Sequence, residues 1–552
     1  MYVTEVKRKS SNGKTYTTIL LRRSYRDGDK VKNETIARLT DCSPEEVQAI
    51  RDALKNKSHP AKSTTAVQED ASEAFRSYQG KSVGSVWLIE RLATSLGITD
   101  ALGDSFHARL ALWLIIARIV HQGSRLSAIR LNAWYDIPSI LKLHRGFDEN
   151  DLYKTLEWLS ENQSQIEDKL FKTMKSSSRF YFYDVTSTYL EGMHNEFGAY
   201  GYNRDQKKRK KQIVVGLLCQ NEGWPVSVEA FNGNTQDSET VDSQLHKITT
   251  RFKCKKIVLI GDRGMVRPKQ MKTLGALKFH YITALTMPQL QKLLNNDVIK
   301  LEDFSNHLKS VTRDGVRYIY RKNLERAKIT ESDRNERLQT VQKHIDQENE
   351  RLFEKPKTSV LAAKKRMVKY AKRLCIHEWA EIRKKERHLY IETIPEKLAE
   401  KSKCDGCYVW TTDLLEEEIS DKEIYDKYKD LKYVEDAFRD MKTEFLEIRP
   451  VHVRSKKSTQ GHLLVTMLAY MILKVLKAAW SDLNITVEEG LEQLSLICQN
   501  TMKFASGAEV NYIPEPCEDV LELLKQLNLK LPKTIERVAV PVVTRKKLNE
   551  TT

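Results

Sequence analysis

Two aspartates stand at strand positions where carboxylates are uncommon, and a glutamate on a later helical stretch makes a third candidate. The stretch RFYFYDVTSTYLEG (179–192) reads as a strand from its aromatic and β-branched residues, yet Asp184 interrupts it. KIVLIGD (256–262) is a short apolar strand closed by Asp262 and followed by Arg263 and Gly264. An acid at the C-terminal end of a strand lies where open α/β sheets place their ligands. The third acid, Glu435, belongs to the helical pattern YDKYKDLKYVEDAFRDMKTEF, in which Tyr428, Glu435 and Lys442 recur every seven residues and so share one side. Three carboxylates on two strands and a helix can hold two divalent cations about 3.5 to 4 Å apart, one activating a water or 3′-hydroxyl and the other stabilising the leaving oxygen of a phosphodiester. Carboxylate oxygens are hard ligands suited to Mg²⁺, with Mn²⁺ substituting.

Each acid also has a plainer reading. Asp184 could be a hydrogen-bonded core aspartate, and Asp262 could cap the next helix or pair with Arg263. Glu435 could pair with Arg439 one turn on, along a solvated face.

Basic residues suit a phosphate-bearing substrate. The run Lys207, Lys208, Arg209, Lys210 and Lys211 would be an electrostatic footprint for backbone phosphates, or else a solvated or localisation-like loop. Arg263, Arg439 and Lys442 flank the acids and could orient phosphates, contacts that position a nucleic acid without reading its sequence. The whole chain of 552 residues carries 92 basic against 75 acidic side chains, a net charge of +17, which favours a polyanionic partner.

The elements that must position these residues follow from periodicity. Residues 1–40 alternate polar and β-branched residues around RDGDK, which predicts a β-hairpin, and a capped helix follows at SPEEVQAIRDALK. Residues 57–75 are polar and unperiodic, a linker. From about 84 to 176 the pattern is helical. Three strands with short links then predict an antiparallel meander, and strand, helix, strand, helix, strand continues it with parallel neighbours. Residues 288 to about 400 are charge-rich and helical, an insertion into the sheet domain. Cys404 and Cys407 in KCDGCY lack a second ligand pair, so a reverse turn is expected there. HLLVTMLAYMILKVLKAAW (462–480) carries Lys474 and Lys477, so it reads as a core helix and no membrane partner is expected. Sparse cysteines and the absence of an apolar leader in MYVTEVKRKSSNG point to the cytoplasm.

Over roughly residues 80 to 480 the chain resembles the DDE transposases of bacterial insertion sequences, in particular the IS-four type with a Tyr-Arg-Glu-Lys signature. The resemblance rests on YFYDVTSTYLEG, QIVVGLLCQNEGWPVSVEAFNGNTQDSET, IVLIGDRGMV and YVEDAFRDMKTEFLEIRPVHVRS, in that order. It implies an RNase H-like catalytic core with a mixed five-stranded sheet, interrupted by a largely helical insertion. It implies Asp184, Asp262 and Glu435 as the catalytic, metal-holding triad, with Tyr428 and Lys442 holding transposon-end DNA. The signature Arg position is occupied by Leu431, and the neighbouring Lys432 lies about 100° around an ideal helix. Relatives can stack an aromatic of the insertion on a flipped base, for which Tyr408 and Trp410 in CYVWTTD are the candidates, unless they are core residues of a strand.

The resulting organisation is an N-terminal hairpin-and-helix module (1–56), the linker (57–75), a helical, DNA-binding region (76–176), two halves of the core (177–287 and 420–482) around the insertion (288–419), and a C-terminal helical region and tail (483–552). The expected function is Mg²⁺-dependent cleavage at transposon ends and strand transfer into target DNA, by a nucleoid-associated homodimer on paired ends. An RNase H-like nuclease or resolvase without strand transfer, or a catalytically silent DNA-binding derivative, is the alternative.

Overall fold

The computed structural model describes residues 1–9, 15–27, 30–55, 75–174, 178–192, 194–202, 204, 207, 209–254, 256–448 and 451–544. The chain divides into two compact units. The smaller gathers Met1–Lys81, Cys498–Glu515 and Pro532–Ile535. Its strands Tyr2–Lys9, Thr15–Asp27 and Lys30–Arg38 form an antiparallel sheet, so the expected hairpin gains a third strand on one side. Gly28 and Asp29 of RDGDK lie outside the described residues. Helix Pro44–Lys55 starts where Ser43 and Glu46 exchange side-chain and backbone hydrogen bonds, which satisfies two amides of the first turn. Residues 57–74 of the expected linker lie outside the described residues. Phe75, its last residue, instead opens strand Phe75–Tyr78, which pairs with Asn500–Phe504. The expected C-terminal helical region therefore also contains two strands, Asn500–Phe504 and Glu509–Tyr512. The partners lie more than 400 residues apart, which local periodicity cannot see.

The larger unit, Ser82–Ile497 with two short C-terminal segments, is built on an eight-stranded sheet. In chain order its strands are β1 (Phe180–Tyr189), β2 (Gln212–Cys219), β3 (Pro225–Asn232), β4 (Val258–Gly261), β5 (His280–Ala284), β6 (Lys309–Arg313), β7 (Val316–Lys322) and β8 (Cys407–Thr412). Their order across the sheet is β3-β2-β1-β4-β5-β8-β7-β6. The meander β1–β3 is antiparallel, and β4 and β5 run parallel to β1. The sheet therefore does not stop at five strands. β8 pairs antiparallel with β5, and β7 and β6 follow, so the insertion extends the sheet and is not largely helical at its base. Sequence reading missed these strands because charged residues interrupt β6 and β7, which sit toward an edge with one face half exposed.

Beyond the sheet extension, the insertion holds helices Leu324–Glu354 and Val360–Arg373 over the strand pair Ala380–Lys385 and His388–Thr393. Val341, Ile345, Leu352, Met367, Trp379 and Leu389 make a separate small core there.

Alternation sorts the two faces of β1. Tyr181, Tyr183 and Val185 point into a core with Leu218, Val241, Leu245, Leu259 and Tyr281, which leaves Asp184 and Thr186 on the opposite face. Three helices complete this unit's interior: α1 (Phe106–Val120), α2 (Glu149–Thr173) and, late in the chain, the apolar helix Lys456–Ala479. The last is long and apolar enough to cross a membrane, but most of it is buried against α1, α2 and β3, as expected for a core helix. Its Gly461 is required by packing: a Cβ there would lie 2.0 Å from the Leu156 carbonyl oxygen of α2.

The late helical pattern is broken into pieces. Helix α3 (Asp421–Lys429) and α4 (Lys432–Arg439) are separated by a turn at Asp430 and Leu431, and a wider π turn, Asp440–Glu444, follows. The single helix with a seven-residue stripe is thus replaced by three segments. α5 denotes Lys456–Ala479 below.

Candidate active site

Strand register brings the first two acids together. Tyr183 of β1 is level with Gly261 of β4, and both chains run in the same direction, so Asp184 and Asp262 each come one residue later. Helix α4, whose Val434, Ala437 and Phe438 are buried, packs on β1 and presents Glu435 on its exposed side. All three carboxylates line one cleft of about 760 Å³. Among the described residues, no three His, Cys, Asp or Glu side chains are gathered closely enough to hold a metal ion together. The acids share a cleft without forming a closed ligand cluster.

The electrostatics of the cleft are uneven. Burial pushes the Asp184 carboxyl up to about 7, opposed by the Val185 amide and Arg204 and reinforced by the negative charges of Asp262 and Glu435. Asp262 is exposed, and its Oδ1 accepts from the Arg263 amide at 2.7 Å and from the Tyr428 hydroxyl at 3.2 Å. Burial, then Asp262, raises the Tyr428 phenol above its usual range, so it stays a donor. A half-buried carboxyl facing two others is costly to ionise unless positive charge is nearby, and its hard oxygens match a divalent cation in donor chemistry.

The expected basic residues divide. Arg263 lines the cleft. Lys442 Nζ donates to Thr186 Oγ1 at 2.9 Å, two residues along from Asp184 on the same face of β1, so the π turn rather than a continuous helix brings it there. Arg439 pairs with Asp436 on its own helix, not with Glu435. In the loop before β2, Lys207 lies 5.9 Å from the Tyr189 ring and Lys210 pairs with Glu191 at 2.8 Å. Arg209 adopts a positive φ of 61°, Lys211 ends the loop with its carbonyl accepting from the Leu190 amide, and Lys208 lies outside the described residues. Tyr408 and Trp410, two residues apart on the same face of β8, line the cleft. Tyr408 is 39% exposed and Trp410 is buried, edge-on to Tyr425 and Tyr428. Leu431 and Lys432 both line the cleft, Leu431 buried and Lys432 exposed.

Several residues of the site were missed. Arg204 reaches toward Asp184 and pairs with Asp237 at 2.7 Å. Arg321 of β7 and Arg326 of the long insertion helix also line the cleft. Arg317, whose side chain is 2% exposed, pairs with Asp421 at 2.5 Å and donates to the Ile419 carbonyl at 2.9 Å, so β7 fixes the start of the helix that carries Tyr428. None of these had a sequence signal beyond being basic, since their meaning depends on strand pairing. The expected reverse turn at Cys404 and Cys407 is present, with Gly406 at φ 73° and both thiols free.

The family model described as "Transposase DDE domain" matches residues 169–472, more than half of the chain, and the match contains all three acids. The chain belongs to the DDE transposases. A second family model, "IS1634 family transposase, N-terminal domain", matches residues 3–70 and makes this an insertion-sequence DDE transposase. The transposase is thus an endonuclease and transferase. The comparison with curated proteins gave no match. Among solved structures, the transposase is similar to the cryo-EM structure of the piggyBac transposase synaptic complex with hairpin DNA. The similarity covers 71% of this chain and 70% of that one at 9% identity, with a TM-score of 0.36.

Proposed function

We propose that Asp184, Asp262 and Glu435 are the catalytic carboxylates of this transposase and hold Mg²⁺, and that the core β3-β2-β1-β4-β5 is RNase H-like. The observation that carries this reading is the convergence of three acids from separate elements on one cleft, where burial holds the Asp184 carboxyl at about 7. Divalent cations bound there would lower the pKa of the attacking water and offset charge on the leaving oxygen. In the first reaction water attacks the phosphodiester at the transposon end, the P–O3′ bond breaks, and a 3′-hydroxyl is freed. In the second, that hydroxyl attacks a target phosphodiester, the target P–O3′ bond breaks, and the transposon strand is joined as a target 3′-hydroxyl is released. The chain's own groups position these reactants. Tyr428 fixes Asp262 through its hydroxyl, Lys442 sits beside Asp184, and Arg263, Lys432, Arg321 and Arg326 offer donors to backbone phosphates.

On this reading Tyr428 and Lys442 serve the roles of the IS-four signature, with Lys432 standing near the place of its arginine. Tyr408 is exposed enough to stack on a displaced base. Lys207 to Lys211 and Arg439 give phosphate contacts outside the cleft. The N-terminal module and the helices of 76–176 contribute DNA contacts, and a homodimer on paired ends, in the cytoplasm, coordinates the two cuts.

The test is incubation of purified protein with Mg²⁺ and labelled DNA carrying the ends that flank its gene. Asp184→Asn, Asp262→Asn and Glu435→Gln should each abolish nicks at the end boundary and joined products while leaving DNA binding in place. Cleavage that survives any one of them places the active site elsewhere, and nicks without joined products favour a nuclease.

A further inference from the structure

Outside the catalytic cleft, two arginines are buried without an anionic partner among the described residues. Arg118, in the last turn of α1, is 7% exposed, and Arg125, which opens the short helix Arg125–Arg130, is 8% exposed. They face a cavity of about 390 Å³ that is also lined by His462 of α5, Tyr153 of α2, Glu447 and His452. Among the described residues, the one hydrogen bond from these guanidiniums is a long contact of 3.5 Å from Arg118 to the Leu446 carbonyl. His462 is 5% exposed, and its Nδ1 is buried without a partner. Burial, and repulsion from Arg125, hold Arg118 down at about 9. Burial and both arginines hold His462 well below its usual value, so it stays neutral. Glu447 attracts Arg118 but is exposed and forms no ion pair with it among the described residues.

Unpaired charges in a protein interior cost several kcal/mol each, which a bound anion offsets. With His452 uncharged, two guanidinium cations, the Glu447 carboxylate at the rim and the neutral His462 leave the described lining with one net positive charge. That matches a single phosphodiester, and the planar forks of two arginines suit its tetrahedral oxygens. The cavity's position fits the same ligand. Val451, next to His452, forms a β-bridge with Leu190, directly after β1. Leu190 is six residues beyond Asp184, roughly 20 Å along an extended strand, or about six base-pair steps of duplex DNA.

We propose that Arg118 and Arg125 form a phosphate clamp that grips one backbone phosphodiester of the DNA being cut, away from the scissile bond. The proposal rests on the chain acting on DNA, and it assigns this cavity a positioning role independent of the acids.

The test is fluorescence anisotropy of labelled transposon-end DNA in EDTA over a salt series, with wild type, Arg125→Met and Arg125→Lys, alongside thermal melting of each protein. The clamp requires Arg125→Met to bind about tenfold more weakly, with the slope of log K against log salt shallower by about one. Its free protein should melt at or above the wild-type temperature, because an unpaired buried charge has been removed. Arg125→Lys should recover part of the affinity. Unchanged affinity and slope in Arg125→Met, with wild type binding DNA, overturns the clamp and leaves the transposase reading standing. Weaker binding with a lowered melting temperature assigns Arg125 a structural role and also overturns it. A wild-type melting temperature raised by inorganic phosphate, with DNA affinity equal in all three proteins, assigns the cavity to a free anion. Failure of wild type to bind any DNA overturns the clamp together with the reading beneath it.

Discussion

Replacing Asp184 by asparagine should stabilise the protein in metal-free buffer while abolishing cleavage. The Asp184 carboxyl stands at about 7 against 3.8 for an unperturbed aspartate, first because it is buried and then because Asp262 and Glu435 face it. The folded state therefore holds this proton more tightly than the unfolded chain. Stability falls as pH rises from about 4 towards 7, and the full cost is present above 7. Each pH unit between the two values is worth about 1.4 kcal/mol, which sums to about 4 kcal/mol. The side chain is only part-buried, so water offsets some of that and roughly 2 kcal/mol is the working figure. Asparagine is close to isosteric and neutral at every pH, so it escapes the cost. Urea midpoints followed by tryptophan fluorescence in EDTA, at about pH 8 and about pH 4.5, would measure the difference. The variant should have the higher midpoint at the alkaline pH, with the gap closing at the acid one. Mg²⁺ should raise the wild-type midpoint more than that of the variant. A variant that is less stable at the alkaline pH, or a gap equal at both, refutes the reasoning.

Other perturbations probe how the site is held. Asp421→Ala strips the partner from Arg317, whose side chain is 2% exposed, and should cost about 3 to 5 kcal/mol in urea unfolding while lowering cleavage through the displaced start of α3. Gly461→Val must push apart α5 and α2, since even a Cβ would lie 2.0 Å from the Leu156 carbonyl oxygen. A loss of about 3 kcal/mol or failure to fold is expected, and a wild-type midpoint would contradict the close approach. Lys442→Met removes the contact to Thr186 beside Asp184. In single-turnover cleavage it should slow the reaction about 10- to 100-fold while DNA affinity changes little, and an unchanged rate would show that Lys442 positions nothing.

The sequence by itself singled out the three acids as candidates, and it determined the strand that carries Asp184 and the strand that Asp262 follows. An aspartate inside an aromatic strand, and another closing an apolar one, are local anomalies that need no partner to be noticed. The buried helix at 456–479 and the turn at Cys404 were legible for the same reason, since periodicity and turn chemistry act over a few residues. Tertiary structure decided the rest. Only strand register makes Asp184 level with Asp262, and only the packing of α4 on β1 brings Glu435 to the same cleft. The extension of the sheet by β8, β7 and β6 depends on β8 pairing with β5 across more than 100 residues, and the charged strands β6 and β7 carry little local signal. The buried arginines at 118 and 125 carried no signal of their own in the sequence. Their meaning comes from burial without a partner, a property that exists only once α1, α2 and α5 have closed around them.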